Sequence, residues 1–365
     1  MSRIVSRLAA LLIAGVCSAS SQESFDAFSL DLPVDPRSLA MGESFVALPA
    51  NEAGLMYNPA GLGGLRGASL SFSRRSLDEV AGTDDWNAYS VNATAGTAFG
   101  GFAIQYNRKT QVDVYSHHVA IGYGFTIPKG PSLGIAARYF DYRHPGGSSP
   151  GIPQSWSSTP TYLFDIGIIY SAPAFHDGGK LRETLSLGIA FQNIGPNWKG
   201  NSNAVTEGVS GYPFEIQPPQ YFRAGFSYAA VIASSDPGAK APFAAMITGE
   251  FRSLLSAPVQ YYIYQTGARY WGIGIECSVF EIVSLRGGAV FLPIDQFEGA
   301  RDKPGFRYGV GINLPLDNPQ GTLPFIIAAN FTVMKLYPLA LLSFMGGEHS
   351  SVSAFSIEVR YTNPL

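Results

Sequence analysis

The strongest constraint on the fold is a series of segments in which apolar and polar residues alternate. In residues 185–192, Leu, Leu, Ile and Phe alternate with Ser, Gly, Ala and Gln, and segments 306–314 and 355–361 repeat the pattern. Successive side chains of a β-strand point to opposite faces, so each segment has one apolar face and one polar or very small face. This pattern predicts strands with an apolar exterior and a polar interior, the inverse of a soluble barrel.

About fourteen such segments follow one another along the chain, with connections of alternating length. Short links alternate with long ones, as in outer-membrane barrels, which have short periplasmic turns and long external loops. The segments lie near 68–75, 86–95, 98–108, 114–126, 131–142, 160–171, 183–193, 219–231, 241–253, 266–277, 280–291, 304–314, 322–333 and 352–362. The short links include 96–97, 127–130, 278–279 and 315–321, and the long ones 143–159, 194–218, 292–303 and 334–351. The prediction is an all-β, transmembrane antiparallel β-barrel with both termini on the periplasmic side.

The composition favours a surface that faces lipid. Charged residues make up only 14% of the chain, against about 25% in an average soluble protein. Beyond the N-terminus there is no run of about 18 apolar residues, which argues against membrane-spanning helices. A soluble β-sandwich is the alternative, but it would expose the outward Tyr, Phe, Ile and Leu side chains to water unless two sheets stacked. A net charge of -3 without a basic stripe predicts no nucleic-acid partner.

Residues 1–22 have the pattern of a secretory signal peptide. Arg3 and Arg7 form its positive region, an apolar core follows, and small residues near 18–20 form a cleavage site. Cys17 allows a lipoprotein alternative, although the preceding Val16 is larger than such sites prefer. A signal peptide and a barrel together predict the bacterial outer membrane.

Residues 39–65 differ from the strand-like remainder because they are rich in Gly, Ala and other small apolar residues. The motif Asn58-Pro59-Ala60-Gly61 within this stretch predicts a turn followed by tight backbone packing, since proline restricts the residue before it and glycine permits close approach. A compact segment of this kind suits a plug inside a pore.

Three parts of this stretch resemble the N-terminal hatch of the long-chain fatty acid transporter (FadL) family and its PorV/PorQ-type relatives. They are residues 39–42 (LAMG), 45–47 (FVA) and 57–62 (YNPAGL). The resemblance covers roughly residues 34–67. It implies a hatch at 23–67 in the lumen of an outer-membrane barrel at 68–365.

Three further groups of residues are candidates for function. Gly100 and Gly101 are the candidate kink in the barrel wall, since glycine weakens or bends strands. An apolar external loop would capture a ligand. Its candidate residues are Leu341, Leu342, Phe344 and Met345. Charges expected on the lumen face, where they would hold the plug or bind an anionic head group, are Arg138, Arg223, Arg307, Glu358 and Arg360.

The sequence shows no pattern of catalytic or metal-binding residues. Neither HExxH nor CxxC is present, and the adjacent His117 and His118 would point to opposite faces of a strand. We therefore expect no enzyme activity, no metal and no cofactor.

The predicted function is passive uptake of hydrophobic small molecules, with long-chain fatty acids as the candidate ligand. The partners would be that molecule or lipid and the lipid of the outer membrane. The alternative is a PorV-like structural or interaction component of a secretion or surface-attachment machine, with secretion proteins as partners. A hatch does not separate these two functions, whereas a continuous apolar tunnel would favour the first. A lumen blocked by large side chains, together with an external hydrophobic groove, would favour the second.

Overall fold

The computed structural model describes most of the predicted strands and the segment that precedes them. The described residues are 34–77, 86–111, 114–144, 156–158, 160–178, 180–202, 212–216, 218–234, 240–256, 269–291, 305–316, 325–336 and 350–361. The predicted signal peptide, residues 1–22, lies outside them. So does the apolar loop with Leu341, Leu342, Phe344 and Met345, and both remain predictions.

Fourteen of the described strands form one closed antiparallel barrel. Closure occurs where β1 (Ala68–Leu77) pairs with both β2 (Trp86–Thr97) and β17 (Ser350–Tyr361). A closed barrel has no edge, so its backbone groups pair between strands, as a membrane requires. The other barrel strands are β3 (Gly100–Gln111), β4 (Val114–Thr126), β5 (Ser132–His144), β7 (Thr161–Gly178), β8 (Leu181–Ile194), β11 (Gln220–Ile232), β12 (Phe243–Ser256), β13 (Arg269–Val279), β14 (Val283–Phe291), β15 (Gly305–Pro315) and β16 (Phe325–Leu336). The predicted fourteen-stranded barrel is confirmed.

Three short strands lie within connections that the sequence predicted as long loops. They are β6 (Trp156–Ser158), β9 (Trp198–Ser202) and β10 (Tyr212–Ile216). β6 pairs with the end of β5 and with β9, and β9 pairs in turn with β10, so the ladder extends beyond the barrel rim. The first two contain Ser, Gly, Asn and Lys rather than alternating apolar residues, so pairing with neighbours determines their strand conformation.

The two faces of the wall differ as the alternation predicted. In β3, Phe102 and Ile104 point outward and are 52% exposed, whereas Gln105 and Asn107 point inward and are buried. The same arrangement recurs around the barrel, so an apolar belt surrounds a polar lumen. This is the surface of an outer-membrane barrel.

The short turns and the barrel's first and last residues lie at one end. Ala68 pairs with Tyr361 there, and the turns after β2, β4 and β13 lie at the same end. Among the described helices, none has the length and apolar character needed to span a membrane.

Residues 34–67, which we call the inner segment, precede β1 and form three short helical pieces. Helix α1 (Pro36–Ala40) begins at Asp35, whose carboxylate accepts a hydrogen bond from Ser38 N at 2.8 Å. Helix α2 (Gly54–Tyr57) is followed by a 3₁₀ helix (Pro59–Gly64). Most of the inner segment is buried, and Leu39, Met41 and Leu62 are completely so. Its apolar side chains pack on one another and on the barrel wall.

Candidate functional site

The inner segment crosses the lumen and contacts opposite parts of the wall. Helix α1 packs against β14 to β17, and the 3₁₀ helix packs against β2 to β5 and β7. Between them, Phe45 packs with Tyr57, whose ring centroid lies 5.3 Å away. The lumen at this level is therefore filled by residues 34–67.

Lumen-facing glycines make room for the inner segment. A Cβ at Gly134 would overlap the backbone of Pro59 and Ala60, and a Cβ at Gly272 would overlap the carbonyl oxygen of Gly42. Any other residue at these positions would push the segment away from the wall. The wall glycines in such contact with the segment's backbone are Gly96, Gly101, Gly124, Gly134, Gly188, Gly272, Gly274 and Gly288.

Asn58 fixes the turn of the predicted motif and ties it to the wall. Its Oδ1 accepts a hydrogen bond from Ala60 N at 3.0 Å, which caps the 3₁₀ helix. Its Nδ2 donates to Val46 O at 2.7 Å and lies 3.2 Å from the carbonyl oxygens of Ile168 and Ile189 in β7 and β8. One side chain thus joins two parts of the inner segment to two wall strands.

Glu43 is the main acidic contact from the inner segment to the wall. Both Gly42 and Glu43 have left-handed backbone conformations, with φ of 63° and 58°, which is unfavourable for a residue with a side chain. This turn directs the Glu43 carboxylate to Arg307 and to Arg252, whose Nη1 lies 3.6 Å from Oε2. Burial by itself would raise the pKa of Glu43, but the guanidinium groups of Arg307 and Arg252 lower it to about 2.

Glu250 in β12 makes the reciprocal contact, from the wall to the inner segment. Its Oε2 accepts hydrogen bonds from the backbone N–H groups of Phe45 and Val46, both at 2.9 Å. Its Oε1 accepts from Arg223 Nη1 at 2.7 Å. This carboxylate therefore satisfies two backbone donors that are buried away from water.

Two further ion-pair groups join the segment to the wall at separate places. Arg37 donates to both oxygens of Glu276 at 2.8 and 3.0 Å, a bidentate contact with strong directional preference. Arg138 donates from Nε to Asp165 at 2.7 Å and also to the backbone oxygen of Leu55.

Arginine and tyrosine side chains alternate in a stack across one side of the lumen. Arg223 lies 5.2 Å from the ring centroid of Tyr57 and 5.7 Å from that of Tyr221. Arg252 lies between Tyr221 and Tyr270, at 5.3 and 4.8 Å. These cation–π contacts place large, buried side chains across the route through the barrel.

Apolar contacts hold the other side of the inner segment. Leu55, Leu62 and Leu65 pack in one cluster with small wall residues. Those wall residues are Ala103, Ala120 and Ala136 of β3, β4 and β5. The segment is thus bound by ion pairs on one side and by a compact apolar cluster on the other.

The five charged side chains expected on the lumen face are buried or partly buried. The contacts of Arg138, Arg223 and Arg307 are described above. Glu358 accepts a hydrogen bond from Arg360 at 2.7 Å, and Arg360 also lies 3.5 Å from Glu52 of the inner segment. Buried ion pairs contribute little net stability, but removing one partner is costly. The group therefore specifies the position of the inner segment; its members are Arg138, Arg223, Arg307, Glu358 and Arg360.

Apart from Glu358, the acidic partners of these arginines were not among the residues selected from the sequence. Glu250 shares the parity of Thr248 and Arg252 in β12, so counting inward positions would have found it. Asp165 likewise shares the parity of Thr161 and Leu163 in β7. Glu43 gave no comparable signal, because it lies outside the strands.

Gly100 and Gly101 lie at the first residues of β3, next to the turn from β2. Gly100 has a φ of 138°, a conformation that favours glycine. Along its described length β3 pairs with β2 and β4 in continuous register. The register shifts in the described ladders lie in β7–β8 and β11–β12 instead.

The adjacent histidines lie on opposite faces of β4. His117 Nδ1 lies 2.7 Å from the Tyr106 hydroxyl outside the barrel, and His118 Nδ1 lies 3.1 Å from Asn107 Nδ2 inside. Among the described residues, no group of three or more His, Cys, Asp or Glu side chains is arranged to hold a metal ion.

Comparison with known proteins identifies the fold. No protein-family model and no curated protein sequence matches the chain. The Ralstonia pickettii toluene transporter TbuX matches over 92% of this chain and 100% of its own, with 12% identity and a TM-score of 0.50. A Pseudomonas aeruginosa FadL homologue matches over 91% and 99%, with 11% identity and a TM-score of 0.49. The chain has a FadL-like fold.

A third solved structure, the CymD monoaromatic hydrocarbon channel, matches the FadL-like chain over 90% of its length and 97% of CymD. The identity is 12% and the TM-score 0.47. The resemblance that the sequence suggested is confirmed at the level of fold.

Proposed function

We propose that this barrel mediates passive uptake of hydrophobic small molecules and that the inner segment is its plug. The observation that carries the proposal is the inner segment itself, which fills the lumen yet lies outside the strand ladder. It is held by separate contacts at Glu43, Phe45, Arg37 and Leu55. A segment bound in this way can move without breaking the barrel's backbone pairing.

Uptake through this barrel requires displacement of the plug. The largest fully buried side chains include Arg223, Tyr57 and Tyr221, which lie across the lumen. A hydrophobic molecule would first bind the external apolar loop, with Leu341, Leu342, Phe344 and Met345 as the capture residues. Once the plug shifts, water can hydrogen-bond the charged groups that lose their ion-pair partners. This lowers the free energy needed to displace the plug.

Toluene and long-chain fatty acids are the two ligand types to compare. The fold is shared with TbuX, which is described as a toluene transporter, and the sequence resembles a fatty acid transporter family. A fatty acid also has a carboxylate, for which a lumen arginine such as Arg360 offers a planar donor group.

A disulfide tether tests whether the plug moves. An ideal Cβ at Gly309 lies 2.7 Å from the Ala40 Cβ, so a bond between cysteines there needs about 1 Å of relaxation to reach usual disulfide geometry. The variant Ala40→Cys/Gly309→Cys, in a Cys277→Ser background, joins α1 to β15. We expect the oxidised protein to take up labelled oleate or toluene at least tenfold more slowly than the same protein after reduction.

The reduced tether variant is the matched control, since it has the same sequence and the same fold. Equal uptake by the oxidised and reduced forms would contradict plug movement at α1. Uptake of toluene but not oleate by the reduced form would exclude fatty acids as the ligand.

The second candidate is a PorV-like role in protein docking. The described residues 34–67 fill the lumen. This favours a docking role, because a docking protein needs no open route through the barrel. In this case the oxidised and reduced proteins would retain the same partner from detergent-solubilised outer membranes, and neither would increase the uptake of oleate or toluene above that of cells without the barrel.

A further inference from the structure

A groove lies on the outer face of the barrel wall, across β2 to β5 and β7. Its volume is about 710 Å³, within the range of about 300–1,000 Å³ typical of small-molecule sites. Outward apolar side chains line it, namely Phe102, Ile104, Ile121, Ile135, Phe164 and Ile166.

The wall behind the groove is thin because its inward residues are small. Gly122 faces Leu55 so closely that any Cβ at this position would overlap the leucine side chain. Ala103, Ala120 and Ala136 pack on the same leucine cluster of the inner segment. These contacts let β3, β4 and β5 approach the inner segment. On the outer face, the small side chains of Ala93, Ala95 and Ala137 lie among the larger ones that line the recess.

The groove is closed to the lumen. β4 pairs in continuous register with β3 and with β5 across the base of the groove. Asp165 contributes to the lining, but its carboxylate is fully buried and accepts hydrogen bonds from Arg138 and the Asn193 backbone. The groove therefore offers an apolar surface with no available charge and no passage inward.

We infer that this groove is a binding site for one hydrocarbon chain of a lipid from the surrounding membrane. The groove is continuous with the exposed apolar belt, which faces the lipid bilayer, so membrane lipid is the solvent that meets it. The rings of Phe102 and Tyr123, whose centroids lie 4.6 Å apart and whose planes are tilted by 39°, form one of its walls. A chain in the recess contacts protein on more than one side, whereas a chain elsewhere on the belt contacts a single convex surface.

The inference depends on the membrane location and not on uptake or docking. A lipid held here would support the thin wall from outside, opposite the leucines that support it from inside. Equal uptake by the oxidised and reduced tether variants would contradict plug movement but leave this site unaffected, so the two ideas fail separately.

Filling the groove tests the site. Ala137 of β5 lines it and points outward, so Ala137→Phe occupies the recess without touching the lumen. Ala329→Phe is the matched control, because Ala329 is an exposed, outward residue of β16 outside the groove. Both full-length proteins are extracted from outer membranes, washed extensively in detergent, and analysed by mass spectrometry for lipid retained per barrel.

We expect the parent protein and Ala329→Phe to retain about one lipid each and Ala137→Phe to retain at least fivefold less. Equal retention by all three proteins would overturn the inference. If Ala137→Phe fails to assemble, the unaltered protein decides in vesicles of phosphatidylethanolamine and phosphatidylglycerol that carry a photoreactive group on one acyl chain. Crosslinks concentrated at the outward residues of β3 to β7 support the site, and even labelling around the barrel overturns it.

Discussion

Glu43 contributes a buried ionic contact that positions the inner segment. Its carboxylate lies between Arg307 and Arg252, and its backbone adopts a left-handed conformation to reach them. Glu43→Gln leaves both arginines without this charge, and breaking a buried ion pair costs about 3 kcal/mol. We expect faster hydrogen exchange at the amides of residues 39–48, while the barrel strands keep their protection.

The same contact predicts that the inner segment is held less firmly at acidic pH. The pKa of Glu43 is lowered from 4.5 to about 2 in the folded protein, so its stabilising effect is complete above about pH 4.5 and is lost as the pH falls toward 2.

Glu281→Gln, in the exposed turn between β13 and β14, is the control for Glu43→Gln and should not alter exchange in residues 39–48. If it accelerates exchange as much as Glu43→Gln, charge in general rather than the Glu43 contact is responsible.

Gly134 tests whether wall glycines are needed for the inner segment. Gly134→Ala would place a methyl group on the backbone of Pro59 and Ala60, whereas Gly287→Ala meets only a side-chain atom at 3.8 Å. Overpacking typically costs about 1–3 kcal/mol, so Gly134→Ala should expose residues 58–67 to limited proteolysis. The Gly287→Ala protein should resist the protease as the parent does, and equal sensitivity of the two would contradict the steric argument.

At the scale of elements, the inner segment and the barrel ladder are separate. In the described ladders, each of the fourteen barrel strands pairs with other barrel strands, and β5 also pairs with β6. No residue of the inner segment takes part in these ladders. Deletion of residues 34–64 should therefore leave a heat-modifiable barrel in the membrane, with higher permeability to small solutes because the lumen is no longer filled. Loss of assembly would instead mean that the segment is required for folding, and the plug proposal would then be wrong.

At the scale of the whole molecule, the barrel's two ends should face different compartments. Short turns and both barrel termini lie at one end, and β6, β9 and β10 extend the other. In a Cys277→Ser background, single cysteines within 143–159, 194–218 and 334–351 should react with a membrane-impermeant reagent on intact cells. Cysteines within 127–130 and 315–321 should react only after the outer membrane is opened; the reverse pattern would invert the orientation.

The alternation of apolar and polar residues was enough to predict the barrel and its fourteen strands. Most boundaries lie within three residues of those predicted, and β4 (Val114–Thr126) agrees at both ends. Such local patterns are readable because the period of two is a property of each strand, independent of its partners. β7 extends to Gly178, beyond the predicted 171, because its later residues pair with β8 although their alternation is weaker.

The sequence by itself thus determined the strands, their inward and outward faces, and the turn at Asn58 and Pro59. Only the tertiary structure decided which charges meet, because Glu43 and Arg307 are separated by 264 residues and no local pattern links them. It also decided the outer groove, since residues of five different strands line it. Local periodicity fixes which way a side chain points, whereas contacts between distant segments depend on how the closed barrel brings them together.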